Sequence, residues 1–387
     1  MSERPRMIPN AVPHLAGNEW KYIKECLDTN WVSSAGPFIE RFERAAAEWV
    51  GVPHAVATVN GTAALHVALL AAGVKPDDEV IVPTFTFIAT ANAVAYCGAH
   101  PVFMDVEPGS WGLDPAKTAD FLTHECVSRG GRTLNRVTGR VVRAMLPVDL
   151  YGHPCDLDPL RALAEAHGLA VVEDAAESLG ALYRGRPVGG DAPLACLSFN
   201  GNKVITSGAG GMVLARDPAM AARVRALTTQ ARGDALEFIH EEVGFNYRLS
   251  NLHAALGLAQ LEQLPGFLQS KRETAIAYAR AFAGVEGVRM AGEAPWARSA
   301  CWMASLLIDA GRCPDVRALL RDLNAEGIGA RPLWRPLHLQ PAFSGAQTYR
   351  VEVATRLYDR GLSLPCSVGI TREERETVVT ALLRRLS

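Results

Sequence analysis

The sequence predicts an α/β protein with a mostly parallel central sheet, helices on both of its faces, and a smaller α+β region towards the C-terminus. Three observations carry that expectation. Between residues 54 and 215 short β-like runs alternate with apolar helical runs, the pattern of a parallel sheet covered on both sides. After Pro218 the alternation gives way to a largely helical stretch and then to shorter mixed runs. The length, 387 residues, suits two domains or one large α/β domain with an appendage.

The elements follow in order. Asn18 caps a helix over residues 19–28, an irregular loop carries Trp31, Ser34, Gly36 and Pro37, and a second helix covers 38–50. Residues 54–59 read as a strand, 62–72 as an apolar helix, 79–83 as a strand, 88–96 as a helix and 101–106 as a strand. A polar, Arg- and Gly-bearing segment at 128–140 interrupts the pattern, which resumes over 141–150. A helix at 157–167 and a strand at 170–173 follow, and β-like runs at 194–199 and 211–215 flank a glycine-rich loop with one lysine, Lys203. Residues 219–283 read as helical with a break at 243–251, 302–308 as a strand, 313–326 as a helix and 372–386 as a closing helix. The expected division is a large domain over 1–260 and a small one over 261–387, with the N-terminal segment able to pack on the small one.

Composition removes several classes of function. Apolar residues make up 49% and charged residues 21%, ordinary values for a soluble globular protein. A net charge of −2 gives no electrostatic case for nucleic acid or an anionic membrane surface. The proline-interrupted N-terminus does not read as a signal peptide, and the most apolar run, 63–74, is too short to span a bilayer, so the expected location is the cytoplasm. Eight cysteines without Cys-x-x-Cys spacing argue for reduced thiols and against a zinc site.

Chemistry in such sheets gathers at the carboxyl ends of the strands. Asn60-Gly61-Thr62 closes a strand and opens a helix, so free N–H groups, the helix dipole and a hydroxyl converge as they do at phosphate sites, although an ordinary capped turn looks the same. Asp174 ends a strand, where it can pair with a protonated ring nitrogen or simply cap Ala175-Ala176. Phe87 can stack on an aromatic ring or belong to the core. With Lys203, these four strand-end groups are the parts that pyridoxal phosphate requires: an amine, an acid for the pyridinium, a stacking ring and donors for the phosphate.

These residues resemble the DegT/StrS family of pyridoxal-phosphate-dependent nucleotide-sugar aminotransferases. The resemblance runs from about Ile8 to the C-terminus and implies the type I, aspartate-aminotransferase-like fold. It implies Gly61, Thr62 and Ser198 as phosphate contacts, Phe87 at the ring-stacking position, Asp174 on the pyridine nitrogen and Lys203 as the Schiff-base lysine. Asn246, within Gly244-Phe245-Asn246-Tyr247-Arg248, implies contact with the neighbouring subunit's phosphate, hence a homodimer with shared sites. Glu177 stands where many members have glutamine. With Ser-Phe-Asn-Gly-Asn-Lys, the segment near Arg132 and Trp334-Arg335-Pro336-Leu337-His338, it is similar to the branch aminating C4 of UDP-linked 4-keto-6-deoxy-N-acetylhexosamines, of bacillosamine and legionaminic acid type.

The reaction so implied is ping-pong transamination. L-glutamate gives its amino group to the cofactor, leaving pyridoxamine phosphate, and the keto sugar accepts it, with Lys203 moving the proton in both halves. Arg248 is a candidate for the donor carboxylate or the sugar diphosphate, and Trp31, Ser34, His153, Trp334 and His338 for the sugar side. The alternatives are amination at C3 or on another nucleotide, and a non-catalytic regulatory protein that binds the cofactor. A dinucleotide site at Gly208-Ala209-Gly210-Gly211 lacks the third glycine of that fingerprint and the helix that should follow it.

Overall fold

The computed structural model describes residues 7–234 and 236–386. Its centre is an eight-stranded sheet in the order His54–Thr58, Gly211–Ala215, Leu194–Ser198, Ala170–Asp174, Val142–Met145, Glu79–Pro83, His100–Met104 and Thr348–Tyr349. Gly211–Ala215 runs antiparallel to both of its neighbours, and the other pairings are parallel. Strand geometry sends successive side chains to opposite faces. Ile81 accordingly enters one buried cluster, with the helices Pro37–Val50, Leu157–His167 and Asn251–Leu261, while Val80 and Val82 enter another with Gly61–Ala71, Ala89–Tyr96 and Pro218–Thr228. This double coverage explains why the strands read as near-continuous apolar runs.

A second, antiparallel sheet, ordered Val288–Met290, Ala304–Ile308, Gly361–Leu364 and Arg331–Pro332, has its own cluster with the helices Val316–Ala325 and Arg372–Leu386. The N-terminal segment is fastened to it: Ile8 N–H donates to Gly327 O at 2.8 Å, and Cys366 N–H to Asn10 O at 2.7 Å. No helix among the described residues is long and apolar enough to cross a membrane.

Several local expectations change. The polar segment contains a hairpin, Cys126–Arg129 against Arg132–Asn135, turned at Gly130-Gly131, where both φ values are positive as such a tight turn requires. The helical stretch stops at Thr228 and does not resume until Asn251, because the backbones of Thr229 and Asn246, and of Arg232 and His240, pair with each other instead. Asn18 makes no cap hydrogen bond, its side chain donating to Glu262 at 2.7 Å. The strand expected from Trp302 starts at Ala304, and Trp302 turns towards Lys203.

Candidate active site

The carboxyl ends of the parallel strands frame a cavity of about 250 Å³ lined by Gly61, Thr62, Phe87, Asp174, Glu177, Ser198, Lys203 and Trp334. The first wall is the start of the helix Gly61–Ala71. Asn60 caps it by accepting from Ala63 N–H at 2.8 Å, leaving the N–H groups of Gly61 and Thr62 without an acceptor among the described residues. The hydroxyls of Thr62 and Ser198 also have no partner there. A Cβ on Gly61 would come within 2.8 Å of Ser198 Cβ, so glycine lets this helix start approach the neighbouring strand end. Unpaired donors at the positive end of a helix dipole make an anion site.

Asp174 lies opposite and is buried. Its Oδ2 accepts from Thr90 Oγ1 at 2.8 Å and its Oδ1 from Ala176 N–H at 3.2 Å. Burial raises its pKa, while these two bonds and the positive charge of Lys203 oppose the rise. No helix follows Asp174 directly, so the bond from Ala176 N–H closes a turn, while the residue also lines the cavity.

Lys203 is held between an acid and an aromatic ring. Its ammonium lies 3.6 Å from Glu177 Oε1 and 4.1 Å from the ring centroid of Trp302. Trp302 is fixed by its indole N–H, which donates to Asn202 O at 2.6 Å. Glu177 is fixed by Tyr151 N–H, which donates to Oε2 at 2.7 Å. Burial raises the Glu177 pKa, and Lys203 is the largest influence opposing it. The Tyr151 ring stacks against both Trp302 and Trp334, with interplanar angles of 23° and 20°. Phe87, about half exposed, rests 5.1 Å from the Trp334 ring at the mouth.

Other predicted residues lie elsewhere. His153 does not face the cavity. It is buried, with Nδ1 on Pro154 O at 2.8 Å and Nε2 accepting from Ala294 N–H at 3.0 Å, and it lines a separate space beyond Tyr151. His338 sits outside the lining, its Nδ1 2.7 Å from Thr84 Oγ1, which ties its segment to a strand end. Arg248 also lies outside: its backbone bridges Thr58 and its side chain is exposed. Asn246 is exposed beside it. Trp31 and Ser34 belong to a loop tied down by Asn251, whose side-chain N–H donates to Trp31 O at 2.8 Å, and neither lines this chain's cavity. Thr90, Tyr151 and Trp302 escaped the sequence reading. Thr90 sat inside a predicted helix and Trp302 inside a predicted strand, where both looked structural.

Pyridoxal phosphate suits this donor set: unpaired N–H and hydroxyl donors for its phosphate, a buried carboxylate for its ring nitrogen, an amine and an aromatic ring. The architecture and the site define the class of pyridoxal-phosphate-dependent enzymes with the type I fold.

Comparison with known proteins narrows the class. The model of the DegT/DnrJ/EryC1/StrS aminotransferase family matches residues 13–383, and the chain belongs to that family. It is a pyridoxal-phosphate-dependent nucleotide-sugar aminotransferase. The GDP-perosamine synthase of Caulobacter vibrioides is 40% identical over 383 residues, covering 99% of both chains. That of Escherichia coli O157:H7 is 37% identical and covers 95% of this chain and 96% of its own. Among solved structures, a DegT DnrJ EryC1 StrS aminotransferase from Brucella abortus superposes with a TM-score of 0.87 at 28% identity, covering 96% of this chain and 95% of its own. The expectation of the UDP-linked bacillosamine branch finds no support in these relatives.

Proposed function

We propose that the protein transfers an amino group from L-glutamate to the C4 keto group of a GDP-linked 4-keto-6-deoxy sugar. The observation that carries the chemistry is the meeting of Lys203, Asp174 and the unpaired donors of Gly61 and Thr62 around one cavity. GDP, in place of the UDP expected from the branch resemblance, is favoured by the two relatives named GDP-perosamine synthase.

Pyridoxal phosphate, when bound, supplies the electron sink that stabilises the charge left when a Cα proton is removed. The residues of the chain supply the rest. Lys203 would hold the cofactor through its amine, and that amine is the group placed to take and return the proton at the reacting carbon. Asp174 would keep the ring nitrogen protonated, and Thr90 and the Ala176 N–H hold its carboxylate in place. Gly61, Thr62 and Ser198 would hold the phosphate, and Phe87 would supply the ring to stack on the cofactor. Glu177 and Trp302 hold the Lys203 ammonium near the cavity when its amine is free. Asn246 is exposed and outside its own chain's cavity, which leaves it available to the neighbouring subunit's phosphate in the homodimer that the family resemblance implies.

Absorbance spectroscopy tests the reading. The purified protein should show a visible cofactor band that bleaches on adding L-glutamate and returns on adding a GDP-linked 4-keto-6-deoxy sugar. Lys203→Ala should abolish turnover. A band indifferent to every amino donor would leave only a cofactor-binding regulatory protein. Recovery with the UDP- or dTDP-linked sugar alone would transfer the nucleotide assignment.

A further inference from the structure

We propose that Tyr151 is a positioning residue for the transfer, with two separable arms: its hydroxyl sets Trp334 at the mouth of the site, and its ring and backbone N–H set Trp302 and Glu177 around Lys203. The inference rests on the aminotransferase reading above and adds to it a residue that does not itself line the catalytic cavity.

Tyr151 sits in the turn Leu150–Gly152, beside the Asp174 strand end, where Asp149 N–H donates to Asp174 O at 3.1 Å. Its φ of 55° and ψ of 20° put a bulky aromatic residue in the left-handed region, a costly conformation outside glycine. Gly152 follows with a φ of 92°, and a Cβ there would lie 2.8 Å from Trp302 N, so the turn is pressed against the segment that carries Trp302. Ala300 N–H donates to Gly152 O at 2.8 Å across the same contact. What the unusual backbone achieves is direction. It aims Tyr151 N–H at Glu177 Oε2, 2.7 Å away, and leaves Oε1 facing the Lys203 ammonium at 3.6 Å.

The side chain is buried and reaches the margins of the small sheet. Its ring stacks on Trp302, which precedes the strand Ala304–Ile308, and on Trp334, which follows the strand Arg331–Pro332. Its hydroxyl accepts from Trp334 N–H at 2.7 Å. Burial, with the Glu177 charge adding to it, raises the Tyr151 pKa well above its usual value, so the group stays a phenol. The two tryptophans serve different places. Trp302 lies under the Lys203 ammonium, 4.1 Å from it at the ring centroid. Trp334 stands where the catalytic cavity meets a larger outer one of about 780 Å³, which Tyr151 also lines. Deleting the hydroxyl therefore disturbs Trp334 alone, at a place where substrate must fit, whereas deleting the ring disturbs the surroundings of the lysine as well.

Tyr151→Phe and Tyr151→Leu separate the arms. The readouts are steady-state kinetics of the cofactor-loaded enzyme, a thermal melt, and the rate at which cofactor-free protein gains its visible band on adding pyridoxal phosphate. Tyr151→Phe should raise KM for the keto sugar about tenfold, the scale of one buried hydrogen bond, with kcat and the rate of band formation near the wild-type values. Tyr151→Leu should in addition lower kcat and slow band formation, each by about ten- to a hundredfold, the scale of a reacting group displaced by about an ångström. An unchanged KM in Tyr151→Phe would overturn the proposal, and that variant decides alone if Tyr151→Leu does not fold. Folded Tyr151→Leu with wild-type kcat and band formation would overturn it too. So would variants whose only change is a lower melting temperature, which is what a purely structural tyrosine predicts. If wild type never responds to an amino donor while Tyr151→Leu still slows band formation, the positioning of Lys203 stands and the aminotransferase reading fails.

Discussion

Asp174 and the pair Asp149–Glu173 are neighbours at the same end of the sheet and equally buried, yet they solve burial in opposite ways. Asp174 faces a cavity and receives Thr90 Oγ1, the Ala176 N–H and the field of Lys203, all of which favour a carboxylate. Asp149 and Glu173 face each other. Burial pushes Asp149 up to about 7, and burial together with the Asp149 charge raises Glu173 well above its usual range. Glu173 Oε2 has no hydrogen-bond partner among the described residues, so nothing at that oxygen offsets the burial of a charge. Asp149 accepts from Cys155 N–H at 2.8 Å and from Ser178 Oγ at 2.9 Å, as a proton acceptor should. Burial raises all three acids; at Asp174 a cation and two hydrogen bonds oppose the rise, whereas at the Asp149–Glu173 pair the charge of a second acid adds to it.

Charge-removing substitutions should break this comparison unevenly. Asp174→Asn should lower kcat about a thousandfold, the scale of losing acid–base support for the reacting group, while the folded protein persists. Turnover and a thermal melt measure the two halves. An active Asp174→Asn enzyme would remove Asp174 from the chemistry. Thr90→Val deletes one hydrogen bond to that carboxylate and should cost about tenfold in kcat/KM, within the range for bonds to charged groups. A tenfold loss confined to KM for the sugar would place Thr90 at the substrate instead.

For the paired acids the readout is stability against pH. Their folded pKa values are raised, so the folded state holds extra protons between the unfolded value near 3.8 and the folded value of about 7 for Asp149. Stability contributed by the protonated form is complete below that window and lost as pH rises through it. Wild-type protein should therefore lose Tm between pH 5 and pH 7.5 more steeply than Asp149→Asn, which has no acid to ionise there. Parallel curves would remove the proton-sharing account. Glu173→Gln should have the smallest effect, about 1 kcal/mol or less in urea unfolding at pH 6, because an amide replaces a carboxyl that was already neutral and can donate to Asp149 as it did. A loss of several kcal/mol would mean that Glu173 is ionised.

The strand-end rule made Lys203, Asp174, Gly61, Thr62 and Phe87 legible before any coordinate, because each lies at the end of a local strand or within a few residues of it, and the family resemblance added Ser198. The structure brings all six to one cavity. Residues chosen for their chemistry alone fared differently. His153 and His338 are partnered in other places, and Arg248 lies outside both cavities. Trp302 comes from the margin of the other sheet, about a hundred residues of chain from Lys203, and its local sequence reads only as the start of a strand.

Alternating β-like and helical runs and the residues at strand ends are properties of neighbours in the chain, and the sequence by itself determined them: a doubly covered parallel sheet with a lysine, an aspartate and a helix start at one edge. Only the tertiary structure decided which ring lies under the Lys203 ammonium, which buried acids face each other, and that one tyrosine joins Glu177 to both tryptophans. Those are contacts between segments distant in the chain, and their energies depend on burial and distance, which no local pattern encodes.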